Sequence, residues 1–368
     1  MVQTQDKVYW IWLSSIPEIG SKRFYYLIER FGSPKGVWDS DVSELKEICR
    51  FMGSRAVQSI INHKKPVYVE QAQKIYEDPS INVITLIDDE YPKLLKTIYD
   101  PPAVLYCKGK PLTETPFMVS IVGSRRTTEY GRQMAEKFAY ELSGAGFTIV
   151  SGLARGIDTM AHKGAIKAEG YTIGVLGCGV DIVYPKENKR LFMQMERYGT
   201  LVSEYPPGTQ PAPGNFPARN RIISGLSHAV LVIEAGSRSG ALITCDFALE
   251  QGRDVFALPG NVNSPYSLGT NQLIKEGAKM VTCVEDILEE FGMDEYQTGG
   301  KSPQPAYQLD IFETQVYNAL EDGEKHLEEL VAITGFDVAK LNAILTILEM
   351  KGVVKQLSGG KFVKQWMN

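Results

Sequence analysis

Apolar positions change their spacing three times along this 368-residue chain. From residue 1 to 75 they recur three and four apart on both sides of Pro17-Glu18-Ile19-Gly20. That spacing predicts two helices joined by a tight turn, the outline of a helix-hairpin-helix. A weaker copy runs from Leu45 to Lys64 with Gly53 at its turn. Such a hairpin can grip a DNA backbone through turn N–H groups, or simply pack as a small helical bundle that recruits partners. Only Lys22, Arg23 and Arg55 flank the two turns, which favours the bundle.

Between 80 and 291 the pattern becomes short apolar runs alternating with helical ones. NVITLI, FMVSIVG, FTIVSGLA, YTIGVLGCG, TLVSEY, AVLVIEAG, DVFALPG and KMVT read as strands. Strands apolar on both faces, separated by helices, predict a parallel sheet covered on both sides. Residues 80–110 are expected to prepend a strand and a helix to it. Residues 292–308 are polar, rich in Gly and Pro, and read as a linker. From 309 to 368 three helical runs precede two short strands around Ser358-Gly359-Gly360, the pattern of a winged helix-turn-helix. The expected fold is therefore α/β, a doubly wound Rossmann-like parallel sheet (80–291). An all-α helix-hairpin-helix or SAM-like domain (1–75) precedes it and a winged helix domain (309–368) follows.

Composition narrows the chemistry. The net charge is −5, so any polyanion site must be a local patch. Five cysteines lie scattered, with no C-x-x-C and no Cys/His cluster. No metal is expected, and a reducing, cytoplasmic location is. The N-terminus lacks the build of a signal peptide, and no apolar run reaches the roughly 20 residues a membrane span needs. The first strand is not followed by G-x-G-x-x-G, so no dinucleotide cofactor is expected.

In an open parallel sheet, ligands sit beyond the carboxyl ends of the strands. Loops at those ends carry Gly123, Ser124, Arg125 and Arg126, then Gly152, Arg155 and Gly156, then Lys186. A later loop carries Arg219, Asn220 and Arg221, and another Gly236, Arg238, Ser239 and Gly240. Glycines allow close backbone approach, helix starts offer free N–H groups, and arginines add fixed charge. Their convergence on one edge points to a phosphate or nucleotide-backbone site. Phe216 and Tyr184 lie in the same loops as candidate stacking partners for bases, or as packing for the sheet edge.

The run NFPARNRIISGLSHAVLVIEAGSRSGALITCDFALEQGRDVFALPGN, with IVGSRRTT, SGLARGIDTMAH and GCGVDIVYP upstream, closely resembles the DNA-processing protein A family, also called DprA or Smf. The resemblance covers residues 80–290. It implies a protein that binds single-stranded DNA, protects it, and loads the RecA recombinase onto it during natural transformation. It also implies a homodimer formed through the Rossmann-like domain. The family's G-S-R motif falls on Gly123, Ser124 and Arg125, which would touch the DNA backbone; the other site residues follow from loop position.

Two other classes remain. The architecture also resembles phosphoribohydrolases acting on nucleoside monophosphates. Glu234, Asp158 and His162 are the groups such an enzyme could use, yet no nucleophile–base–orienter set is apparent. The expectation is a non-catalytic protein. A sequence-specific regulator would read duplex DNA through the winged helix. That segment, 309–368, holds six lysines and no arginine against nine carboxylates, a net charge of −3. Lys340 and Lys351 are the only cations on the presumed recognition helix, with Lys355, Lys361 and Lys364 in the wing. A duplex reader wants Arg, Asn or Gln there, so a protein-binding or dimer-supporting role is favoured.

Overall fold

Seven short helices open the computed structural model, which describes residues 4–293, 309–321, 323–357 and 359–364. They are α1 (Thr4–Ser14), α2 (Ser21–Phe31), α3 (Pro34–Asp39), α4 (Val42–Glu47), α5 (Cys49–Met52), α6 (Ser54–His63) and α7 (Pro66–Glu77). Both sequence hairpins are present as helix, turn, helix. The first turn is spent internally: Ile16 and Ile19 are buried in it, and Arg23 donates to the Glu18 carbonyl at 2.6 Å.

The sheet follows. Its first half runs β1 (Asn82–Thr85), α8 (Lys93–Lys96), β2 (Val104–Gly109), β3 (Met118–Val122), α9 (Glu129–Gly144), β4 (Thr148–Ser151), α10 (Ile157–Lys167) and β5 (Thr172–Val175). Its second half runs α11 (Lys189–Tyr198), β6 (Gly199–Ser203), α12 (Asn215–Gly225), β7 (Ala229–Val232), α13 (Gly240–Glu250), β8 (Asp254–Ala257), α14 (Leu268–Lys275), β9 (Lys279–Met280) and α15 (Glu285–Glu290). Among the described residues nine strands form one sheet, ordered β1-β2-β6-β5-β4-β3-β7-β8-β9.

From β6 to β9 every pairing is parallel. The expectation of a parallel sheet needs one correction. β1 and β2 form an antiparallel pair, and β2 runs antiparallel to β6, so the sheet is mixed at that edge. Residues 80–110 contribute two strands and a short helix, one strand more than expected.

β3, β4, β5 and β7 are buried throughout, and alternation sorts their side chains. Val122, Val150, Val175 and Val230 join one core; Val119, Ile121, Ile149 and Leu231 join the other, against α9 and α10. The N-terminal helices share a third core with this sheet. Trp12, Phe24, Leu27 and Ile60 cluster with Val104 and Tyr106 of β2, and the described residues through Met293 form one compact unit. Each such fully buried side chain contributes about 1.5–3 kcal/mol.

The predicted linker, 292–308, falls outside the described residues except for its first two positions. The second unit holds α16 (Ile311–Ala319), β10 (Lys325–His326), α17 (Leu327–Thr334), α18 (Val338–Met350), β11 (Val354–Leu357) and β12 (Lys361–Lys364). Its strands pair in the order β10-β12-β11, which completes a winged helix. β10, only two residues long, is too short to register as a sequence pattern. Among the described residues no single helix is long and apolar enough to cross a membrane.

Candidate nucleic-acid interface

Strand order reverses at β3: β4 and β5 lie to one side of it, β7 and β8 to the other. The crevice beyond this switch point is where an open α/β sheet receives a ligand. The loop leaving β3 begins at Gly123, where an added Cβ would lie 2.5 Å from Ile157 Cγ1 and 2.9 Å from the Glu234 carbonyl. Only glycine fits. Ser124 N then donates to the Glu234 carbonyl at 2.7 Å.

Glu234, two residues past the end of β7, is 3% exposed. Its carboxylate accepts from the Thr127 hydroxyl, from Thr128 N at 3.0 Å and from the Thr128 hydroxyl. The Thr128 hydroxyl in turn caps α9, accepting from Gly131 N at 3.0 Å. This carboxylate therefore fixes the shape of the first loop, and Arg125 and Arg126 project from it, exposed.

The loop leaving β4 is shaped by a second buried carboxylate. Asp158, in the first turn of α10, accepts from Gly152 N at 3.1 Å and Ala154 N at 3.3 Å. Leu153 takes a left-handed φ of 54° to allow it. Arg219 reaches in from α12, 3% exposed. Its guanidinium donates to the Gly152 carbonyl at 2.8 Å and to the Val175 carbonyl at the end of β5. Burial pushes the Asp158 carboxyl up, and Arg219 opposes that shift. Burial pushes Arg219 down to about 10, with Asp158 opposing.

Next in the chain, Asn220 donates to the Gly240 carbonyl at 3.2 Å and so ties α12 to the start of α13. Ser239 caps that helix, accepting from Ala241 N at 3.3 Å.

Two pockets open on this edge and share Arg125, Ala154, Phe216 and Arg219. The first adds Gly152, Arg155, Gly177 and Tyr184; the second adds Gly123, Asp158, Asn220, Ser239 and Gly240. Tyr184 and Phe216 stack at their rim, centroids 5.3 Å apart and planes 28° apart, and the Arg125 guanidinium lies 5.3 Å over the Phe216 ring. Arg155, exposed, pairs with Glu187.

The structure thus brings Gly123, Arg125, Gly152, Arg155, Arg219, Asn220, Ser239 and Gly240 around two adjoining pockets. Ser124, Arg126, Gly156, Lys186, Gly236 and Arg238 sit in the same loops outside the pocket linings, with Arg126, Lys186 and Arg238 exposed. Two expectations change. Arg219 is a buried brace for the strand ends, not an exposed phosphate ligand. Arg221 leaves the site altogether: two positions along α12 is about 200° of helix, so its side chain points the other way. There it is 5% exposed and forks onto Glu204 at 2.7 and 2.6 Å. Burial alone would push its guanidinium down, but Glu204 holds it above its usual value.

The acid/base candidates are also engaged. His162 is fully buried, its Nδ1 2.8 Å from the Thr172 hydroxyl, and burial pushes it down to about 3. Sequence reasoning had no residue pair for Arg155, since Glu187 is a lone carboxylate 32 positions away.

The DNA recombination-mediator protein A family model matches residues 82–292, and the DprA winged helix domain model matches residues 300–360. Protein Smf of Synechocystis sp. is 34% identical over 396 residues, spanning 98% of this chain and 99% of that protein. Among solved structures, DNA processing protein A from Streptococcus pneumoniae is 38% identical with a TM-score of 0.67, covering 79% of this chain and 99% of that one. The DNA processing protein A from Helicobacter pylori, described for its single-stranded DNA binding mode, is 33% identical with a TM-score of 0.53, covering 58% of this chain and 96% of that one.

Proposed function

The chain belongs to the DNA recombination-mediator protein A family, and from that premise we propose that the carboxyl edge of its sheet holds the backbone of single-stranded DNA. The observation that carries this reading is the placement of exposed Arg125 and Arg155 on two pockets at the switch point of an otherwise acidic chain, with exposed Arg126, Lys186 and Arg238 in the loops that form this edge. Exposed arginines and loop N–H groups bind phosphate without reading bases. The stacked Tyr184 and Phe216 rings offer bases a surface of general affinity. The named binding mode of the Helicobacter relative supports the same ligand.

We propose further that the bound strand is protected and handed to RecA in the cytoplasm during natural transformation, by a homodimer formed through the Rossmann-like unit. The protein acts without catalysis in this reading. Glu234 and Asp158 are spent on loop N–H and hydroxyl groups, and His162 is sealed from solvent, so the hydrolase alternative has no free acid or base among them.

Fluorescence anisotropy tests the proposal, with labelled oligothymidine against matched duplex over a salt series. Wild type should bind the single strand in preference, with log Kd rising steeply with log salt. Arg125→Ala should weaken binding roughly tenfold and lower the salt slope by about one. A folded wild type with no single-strand affinity would refute the reading.

A further inference from the structure

Arg221 sits on the far side of α12 from these two pockets, where the N-terminal helices meet the sheet, and with Ser21, Asp100 and Glu204 it lines a separate cleft there. Its guanidinium makes the Glu204 fork, donates to the Asp100 carbonyl at 3.2 Å and lies 3.2 Å from the Asp100 carboxylate. It also donates to the Ser21 hydroxyl at 3.2 Å, and Ser21 is the first residue of α2. A neighbouring contact reinforces this one: Tyr25 of α2 donates to the Pro101 carbonyl at 2.7 Å. One buried cation thus joins α2, the segment before β2, the end of β6 and α12.

The front of that same helix carries Phe216, Arg219 and Asn220, which line the pockets. α12 is therefore pinned from behind by the docked helices and presents its front to the ligand. An arginine held by two carboxylates, a carbonyl and a hydroxyl tolerates little displacement, because a shift breaks several charge-assisted bonds at once. Slackening at Arg221 loosens a tie that holds α12, the helix whose other face carries the pocket side chains.

We propose that Arg221 is a positioning residue of the single-strand site, through which docking of the N-terminal helices sets the placement of α12. The inference rests on the function proposed above. It gives the helix-hairpin-like segment a role that needs no second DNA grip: Ser21, at the start of the first hairpin's second helix, is bonded to Arg221.

The salt dependence of binding separates positioning from contact. A residue that touches phosphate changes the slope of log Kd against log salt by about one; a residue that only places others changes the intercept. The experiment uses the full chain and labelled oligothymidine, comparing wild type with Arg221→Gln, Arg221→Lys, Glu204→Gln and Ser21→Ala. Circular dichroism and thermal melts confirm that each is folded at the assay temperature. Arg221→Gln and Glu204→Gln should each weaken binding roughly tenfold at every salt with the wild-type slope, Ser21→Ala roughly twofold, and Arg221→Lys should recover part of the loss. Folded Arg221→Gln with wild-type affinity overturns the proposal, and so does a slope lowered by about one, which would mark a direct phosphate contact. Should Arg221→Gln fail to fold, wild-type affinity in both Glu204→Gln and Ser21→Ala overturns it. Absence of binding by wild type itself refutes the single-strand reading, and the positioning role falls with it.

Discussion

Arg155 meets Glu187 at the rim of the pockets, both side chains more than half exposed. Exposed pairs of this kind hold loosely, so a phosphate arriving there competes with a carboxylate already in place. Glu187 is kept below the usual carboxylate range by its own backbone N–H and by Arg155. It therefore stays charged through the physiological range and repels the ligand. Glu187→Gln should tighten single-strand binding about threefold at low salt, an advantage that shrinks as salt screens it. Equal affinities at low salt would show that Arg155 is not part of the interface.

A second residue-scale prediction concerns acid. The Thr172 hydroxyl donates to the Ile149 carbonyl at 2.7 Å, so it accepts from the His162 ring, which is neutral and buried. Folding depresses this histidine from about 6.5 to about 3. The unfolded chain then binds the extra proton, so the contribution is complete above about pH 6.5 and is lost as pH falls toward 3. The maximum slope is about 1.4 kcal/mol per pH unit. Urea midpoints at pH 7 and pH 5 should fall more for wild type than for His162→Gln.

At the scale of elements, the central strands were legible because both their faces are apolar, and the Gly-rich loops because glycine and arginine stand at strand ends. Direction was less legible: nothing in VLYCKG says that β2 runs against β6. The placement of α12 was hidden for a different reason. The whole run from Asn215 to Gly225 read as loop, because it carries no apolar stripe and only Ile222 and Ile223 mark it as packed. Once the segment is a helix, Arg219 and Arg221 must part company. The charge interaction of Arg219 with Asp158 was equally out of reach, because it links α12 to α10 across the ends of two strands. It makes its own prediction. Removing Asp158 takes away a charge that favours buried Arg219 and leaves two loop N–H groups without an acceptor, so Asp158→Ala should cost about 2–4 kcal/mol of stability. Urea denaturation measures it, and a loss below about 1 kcal/mol would mean that water relieves the buried charge.

For the whole molecule, charge is distributed by unit. The winged helix spends its lysines on itself. Lys340 lies 3.7 Å over the Phe312 ring and 4.2 Å over the Phe336 ring. Lys351 bonds the buried Glu313 carboxylate at 2.6 and 2.7 Å, and Lys361 pairs with Glu324 at 2.7 Å. α18 exposes Val338, Ile347 and Met350 beside Lys340, Asn342, Thr346 and Glu349. This helix has no arginine, the commonest base reader, and Asn342 is its single amide side chain, too small a set to discriminate a run of base pairs in a major groove. Duplex binding by the full chain should therefore be indifferent to sequence, and Lys340→Glu should leave both single-strand and duplex affinity within about twofold of wild type. Competition of labelled duplex with oligonucleotides of varied sequence measures the first, and anisotropy the second. A marked sequence preference that Lys340→Glu abolishes would return the winged helix to the class of duplex readers, since a cation reaching base edges from that helix would produce it and a phosphate contact would not.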